Sequence, residues 1–368
     1  GQGSQAVGMG ADVFRSSPAA HAVYEAADAA LGFALSQLCF EGPEEALKET
    51  INTQPALVTT SLALLAALQE AAGAAGAVTA GAGDPPLRAP LTPDFVAGHS
   101  VGEYAALAAS GALSLGETIT LARERGRLMH EQGSANPSGM AAVLGMDSAT
   151  LEDVCHEATR QVRLEIASAH TETEHPGAGH VVVANDNAPG QVVISGSQRA
   201  LETALEMAKA RGARRVVPLA VSGAFHSPVM APAAEGLAKA VAAAPIVDAA
   251  IPIVSNISAT PITAQAEIRD ELSRQIVSPV QWTRSVQWLA DQGVTTFVEI
   301  GAGQVLSGLI KRIAKGATTL SVATADDVAR VAPQLTALLA GEVAAKAAES
   351  DEKGEKGEKG DDKRQAKS

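Results

Sequence analysis

Residues 95–107 read FVAGHSVGEYAAL, in which G-x-S-x-G separates a short apolar run from a helix-forming one. A strand that must turn sharply into a helix at a serine restricts the chain to an α/β arrangement. The tight turn also lifts the serine hydroxyl clear of the sheet edge. Gly98 and Gly102 are expected to remove side chains that would collide across this turn. The N–H of Val101 then lies at the helix N-terminus, where an unpaired donor and the positive end of the helix dipole favour a developing oxyanion. Ser100 is the candidate nucleophile.

The bulk properties narrow what such a serine serves. A chain of 368 residues can bury a large core and hold more than one domain. Its net charge of -13 argues against nucleic acid or an anionic membrane as a partner, and 3% aromatic residues leave little for stacking on bases or sugars. Cys39 and Cys155 form no C-x-x-C pair, which fits a reducing cytoplasm. The opening GQGSQAVGMGAD is not a basic stretch followed by an apolar run, so no signal peptide is expected. The apolar run from Pro55 is broken by Thr, Gln, Glu and Gly and reads as a buried helix rather than a membrane span.

Residues 72–94 are rich in Ala, Gly and Pro and read as a loop; residues 342–368 repeat E-K-G and read as a disordered charged tail. Between them, strand, helix, two strands joined by a DNAP turn, capped helix and strand follow one another over residues 134–221. This β-α-β-β-α-β order predicts a ferredoxin-like small domain inserted into an α/β-hydrolase-like large domain made of 1–133 and 222–341. A cleft between the two is the natural place for a substrate.

Ser100 needs a base. Of eight histidines, His21, His130 and His156 fall in helical runs. His170, His175 and His180 share a loop whose spacing matches no compact ligand pair, so no metal site is expected. His99 adjoins the nucleophile and reads as pocket lining, whereas His226, in GAFHSPVM after the last strand of the insert, is well placed as the base.

GQGSQ (1–5), TQPAL (53–57), GHSVGEYAAL (98–107), RERGRLM (123–129), NAPGQVVISG (187–196), GAFHSPVM (223–230), SPVQWTRSV (278–286) and EIGAGQVLSGLIKR (299–312) run in collinear order. On these blocks the chain resembles the malonyl-CoA:acyl carrier protein transacylases and the related acyltransferase domains of fatty acid and polyketide synthases. The resemblance implies that Ser100 attacks malonyl-CoA, His226 shuttles the proton, and the N–H groups of Val101 and Gln2 form the oxyanion hole. It further implies that Arg125 holds the malonyl carboxylate through a two-pronged ion pair. The backbone carbonyl of Gln281 would orient His226, and Met129, Asn187 and Phe225 would line the pocket. GAFH matches the malonyl-type H-A-F-H pattern with its first residue changed to Gly223, and Phe225 would fill the space that a branching methyl needs.

The implied reaction is ping-pong transfer to acyl carrier protein with no cofactor, by a cytoplasmic monomer serving fatty acid synthesis. Lys209–Arg215 (KARGARR) and Lys311–Lys315 (KRIAK) are candidate docking charges for an acidic carrier. Two alternatives stand beside it. A serine esterase or thioesterase would need an acid between Ser100 and His226 in chain order, with Asp147, Asp153 and Asp186 as candidates. An inactive, N-terminally shortened homologue is the other, because relatives usually carry an apolar strand before G-Q-G-S-Q and its loss would loosen Gln2.

Overall fold

The computed structural model describes residues 2–73, 91–168, 177–221 and 223–340. The middle of the 72–94 loop, the tail at 342–368, His170 and His175 lie outside these residues.

At the centre of the larger body is the 22-residue helix Thr50–Ala71, mostly apolar and buried round most of its circumference. It is long and apolar enough to cross a membrane, but most of it is buried within the protein, packed against the helices Pro18–Leu31 and Leu115–Ala135. It is the core helix expected from the run at Pro55. Pro55 has no N–H for the carbonyl one turn earlier, that of Ile51, and Arg123 donates to that carbonyl instead at 3.3 Å. A Cβ on Gly126 would stand 2.7 Å from the Thr50 carbonyl oxygen. Glycine there lets the two helices cross closely, which carries Arg125 to the first turns of the core helix.

Short parallel strands complete this α/β body. Val96–Ala97 pairs in parallel with Ile253–Val254, which pairs antiparallel with Pro261–Ile262, and Thr296–Ile300 runs parallel to Thr318–Val322. The strand that feeds Ser100 is only two residues long because the chain must break out of it at once to make the turn.

Residues 138–218 build the β-α-β-β-α-β unit. Its antiparallel sheet has the spatial order Val181–Ala188, Gln191–Ser197, Ser138–Leu144, Arg215–Pro218, so that the first and third strands in chain order, Ser138–Leu144 and Gln191–Ser197, are central as a split βαβ requires. The helices Ser148–Ser168 and Gln198–Ala210 cover it with a core of their own, including Val143, Leu151, Val154 and Ile194.

The DNAP turn departs from expectation. Asp186, Asn187 and Ala188 remain in the strand, which bulges twice, and only Pro189 and Gly190 turn. The reason lies on the strand's other edge, where Asp186 N–H donates to Val280 O at 3.0 Å and Val280 N–H donates to Ala184 O at 2.8 Å. The body thus pairs with the small sheet's edge, and the bulge brings Asn187 over the nucleophile turn.

Candidate active site

Ser100 adopts φ 53°, a left-handed conformation that costs a non-glycine residue about 1–3 kcal/mol. The turn is held by Asn256, which accepts from Ser100 N–H at 2.7 Å and donates from Nδ2 to Gly98 O at 2.7 Å. The glycine rule applies on one side only. A Cβ on Gly98 would lie 2.0 Å from the Gly102 carbonyl carbon, whereas one on Gly102 meets nothing within 4 Å. Gly98→Ala is therefore expected to lower the melting temperature and the acylation rate together, costing about 3 kcal/mol or more. Gly102→Ala, gaining helix propensity, should stay within about 1 kcal/mol of the parent by thermal unfolding.

Beside the turn lies a cavity of about 320 Å³ lined by Gln2, Ser100, Val101, Arg125, Met129, Asn187, Phe225 and His226. Eight of the nine residues singled out from the sequence thus meet in one place. His226 Nε2 is 2.8 Å from Ser100 Oγ. Burial, with the Arg125 charge next, pushes the imidazole down to about 3, so it is neutral and can accept the serine proton.

The ninth residue, Gln281, is a correction. Its carbonyl accepts from Ser285 N–H at 2.9 Å and Ser285 Oγ–H at 3.0 Å, because Gln281 caps the helix Trp282–Asp291. The carbonyls facing His226 Nδ1 are those of Gln275, at 2.9 Å, and Ser278, at 3.1 Å. Two acceptors at Nδ1 place the proton there and leave Nε2 as the acceptor. None of the three candidate acids takes this position. Asp147 caps a helix through Thr150, Asp186 accepts from Thr283 Oγ1 at 2.8 Å, and Asp153 lies on the exposed side of the helix Ser148–Ser168.

Arg125 is 1% exposed. Its Nη2 donates to Ser100 Oγ at 3.1 Å and Gln275 Oε1 at 2.9 Å, and its Nη1 donates to Gln54 Oε1 at 2.7 Å. Its Nε–H is buried and has no partner among the described residues, and the residue lines the cavity beside Ser100. Gln54 also donates to Met129 Sδ at 3.3 Å. His99 Nε2–H donates to Asn187 Oδ1 at 2.7 Å, which fixes the ring as lining; burial pushes it down to about 4. Gln2 is seated by donation from Nε2 to Thr50 Oγ1 at 3.1 Å, and nothing among the described residues accepts from the Val101 N–H.

Phe225 is buried against the cavity. A Cβ on Gly223 would come 2.7 Å from Gly133 Cα, so the histidine of the related pattern has no room here and glycine replaces it. Sequence reasoning missed Gln275, Gln54, Asn256 and Glu103. Gln54 and Glu103 lie inside motifs already quoted, TQPAL and GHSVGEYAAL, but a partner 70 or more residues away leaves no local signal. Among the described residues, no group of three or more His, Cys, Asp or Glu side chains is placed to hold a metal ion.

The family model of the acyl transferase domain matches residues 1–348. The malonyl CoA-acyl carrier protein transacylase of Bacillus subtilis (strain 168) is 42% identical over 89% of this chain and 93% of its own. The solved malonyl CoA-acyl carrier protein transacylase of Coxiella burnetii superposes with a TM-score of 0.79 at 33% identity, covering 91% of this chain and 96% of that one. A malonyl-transacylase solved with its type II PKS acyl-carrier protein superposes at 0.77 with 34% identity, over 89% and 95%. With the serine, histidine and arginine gathered in one cavity and relatives of this similarity along nearly the whole chain, the protein belongs to the malonyl CoA-acyl carrier protein transacylase family of acyl transferases.

Proposed function

We propose that this enzyme transfers malonyl from malonyl-CoA to the phosphopantetheine thiol of an acyl carrier protein through malonyl-Ser100. The observation that carries this reading is Ser100 Oγ lying 2.8 Å from a neutral His226 and 3.1 Å from a buried arginine. As Oγ attacks the thioester carbonyl, its proton passes to His226 Nε2, and the N–H groups of Val101 and Gln2 hold the oxyanion. Collapse expels CoA thiolate, which takes the proton from His226. The carrier thiol then gives its proton to His226 and attacks the acyl-serine; the Oγ–acyl bond breaks, the departing Ser100 oxygen takes the proton from His226, and malonyl stays on the carrier thiol. Arg125 binds the malonyl carboxylate throughout. These steps draw only on the chain's own residues and its two thiol-bearing substrates.

The substrate cavity is bounded by both units, which supports dividing the chain into a body of 1–133 and 222–341 and an insert of 134–221, each with its own apolar core. The setting proposed is fatty acid synthesis in the cytoplasm, which two cysteines without a C-x-x-C pair fit. Of the two basic runs, the second suits carrier docking better. Its helix Val305–Ile313 starts at the cavity mouth with Val305 and carries exposed Lys311, followed by Lys315, while Arg312 is engaged by Gln191 and Pro189. In the first run, Arg211 is already paired with Glu157.

The test is to mix the chain with malonyl-CoA alone and read intact and peptide masses, with Ser100→Ala as the control. One malonyl adduct on the Ser100 peptide, discharged on adding carrier protein, is expected; CoA release without an adduct would instead indicate a hydrolase. Phe225→Ser is expected to raise the share of methylmalonyl adduct in a mixture of malonyl-CoA and methylmalonyl-CoA by about tenfold, as one methyl's worth of pocket discrimination. An unchanged share would show that Phe225 does not exclude the branch.

A further inference from the structure

Beneath the nucleophile turn lies a carboxylate that the reaction does not use. Glu103, in the first turn of the helix Gly102–Ala109, is 1% exposed. Burial and the neighbouring Glu271 carboxylate push it well above the usual range, so the fold keeps a group that is costly to bury where an apolar residue would fit. No Lys or Arg forms an ion pair with it among the described residues. Its Oε1 accepts from Asn256 N–H at 3.0 Å, and its Oε2 accepts from the Gln275 side-chain amide Nε2.

Gln275 is therefore the point of action. The two ends of a glutamine amide have nearly the same shape, and only their partners decide which way it faces. Nε2 faces two acceptors, Glu103 Oε2 and Ser100 O, the latter at 3.1 Å. Oε1 is thereby turned to Arg125 Nη2 at 2.9 Å. In the opposite orientation an NH₂ group would face the guanidinium, donor against donor. Of the two acceptors, Glu103 sets the choice more strongly: the Asn256 N–H holds its Oε1, so its Oε2 faces the Gln275 amide from a fixed position, whereas the Ser100 carbonyl lies at 3.1 Å.

We propose that Glu103 is the positioning residue for Arg125: by fixing the orientation of the Gln275 amide, it aims the guanidinium for an acyl group bearing a carboxylate. The inference rests on the reading of Arg125 as the carboxylate clamp. Its consequence is selective, because a neutral acyl group makes no use of the aimed guanidinium.

The experiment measures Ser100 acylation by malonyl-CoA and by acetyl-CoA, with melting temperature alongside, for Glu103→Gln, for Gln275→Met, for the two together and for Arg125→Ala. Glu103→Gln is expected to lower the malonyl-over-acetyl preference about 10- to 100-fold, the worth of one hydrogen bond to a charged group, while acetyl acylation persists. Gln275→Met removes the amide that Arg125 Nη2 meets and is expected to lower the preference by a similar factor, after which adding Glu103→Gln changes it by less than about threefold, because Glu103 acts through that amide. A purely structural role for Glu103 would depress both substrates alike, and its loss would add to that of Gln275→Met. Equal losses for the two substrates in Glu103→Gln, or an unchanged preference in Gln275→Met, would overturn the proposal; the second of these results is decisive even where Glu103→Gln fails to fold. Should Arg125→Ala itself lose both substrates equally, the clamp reading fails, and that result is distinct from a failure of Glu103 alone.

Discussion

Arg125→Ala is expected to reduce malonyl transfer by about 10²- to 10³-fold and acetyl transfer by less than about tenfold. The difference comes from where the charge sits. Arg125 is buried beneath the nucleophile, with two of its nitrogens engaged by Gln54, Gln275 and Ser100 and its Nε–H without a partner among the described residues. A malonyl carboxylate entering that cavity leaves water and needs a cation to replace it. Removing one partner of a buried pair typically costs about 3–5 kcal/mol. Acetyl carries no charge and loses only the donation from Nη2 to Ser100 Oγ. Arg125→Lys should recover little, since a single ammonium cannot span Gln54, Gln275 and Ser100 and still meet a carboxylate. Competition between malonyl-CoA and acetyl-CoA reads this directly. Equal falls for the two would show that Arg125 is not the clamp.

His226→Ala is expected to slow Ser100 acylation by about 10³-fold, within the range for loss of a general base. The pH profile of the unaltered enzyme gives the complementary result. A depressed histidine pKa means that the neutral, proton-accepting form persists as pH falls until about 3 is reached. Between pH 8 and pH 5, kcat/KM for acylation should therefore show no loss from imidazole protonation. An ordinary histidine would lose about 30-fold by pH 5. An acid limb near 6.5 would show that His226 is solvated in the working enzyme. Replacing the carbonyl partners of Nδ1 is not possible by side-chain substitution, which makes the profile the sharper measurement.

Much of the site was legible because its elements announce themselves locally. G-x-S-x-G with a strand before it and a helix after it demands a turn, and Ser100 does take a positive φ there. The insert was legible for a similar reason: alternation in strands and capped amphipathic helices are short-range signals, and the β-α-β-β-α-β order follows from reading them in sequence. The DNAP stretch misled because turn propensity is also short-range. Pairing with Val280, almost a hundred residues later, kept Asp186 and Asn187 in the strand. Gly102 misled in another way, since its pattern position resembles that of Gly98 although only Gly98 is pressed against backbone.

The orienting carbonyl shows where sequence stops. Gln275 and Gln281 lie in one short segment, six residues apart, and either could present a carbonyl to a histidine. The helix that begins at Trp282 takes the carbonyl of Gln281 for its own first turn, whereas the single 3₁₀ turn Gln275–Val277, closed by Ser278 N–H on Gln275 O at 3.2 Å, presents the carbonyls of Gln275 and Ser278 to His226. The choice of Ser100, His226 and Arg125 as candidate nucleophile, base and cation needed sequence alone, because each is a residue type set in a motif. Their partners, from Gln54 to Asn256, Glu103 and Gln275, were decided by the tertiary structure. A buried polar group must find its hydrogen bonds wherever packing brings a complement, and that distance in space has no counterpart along the chain.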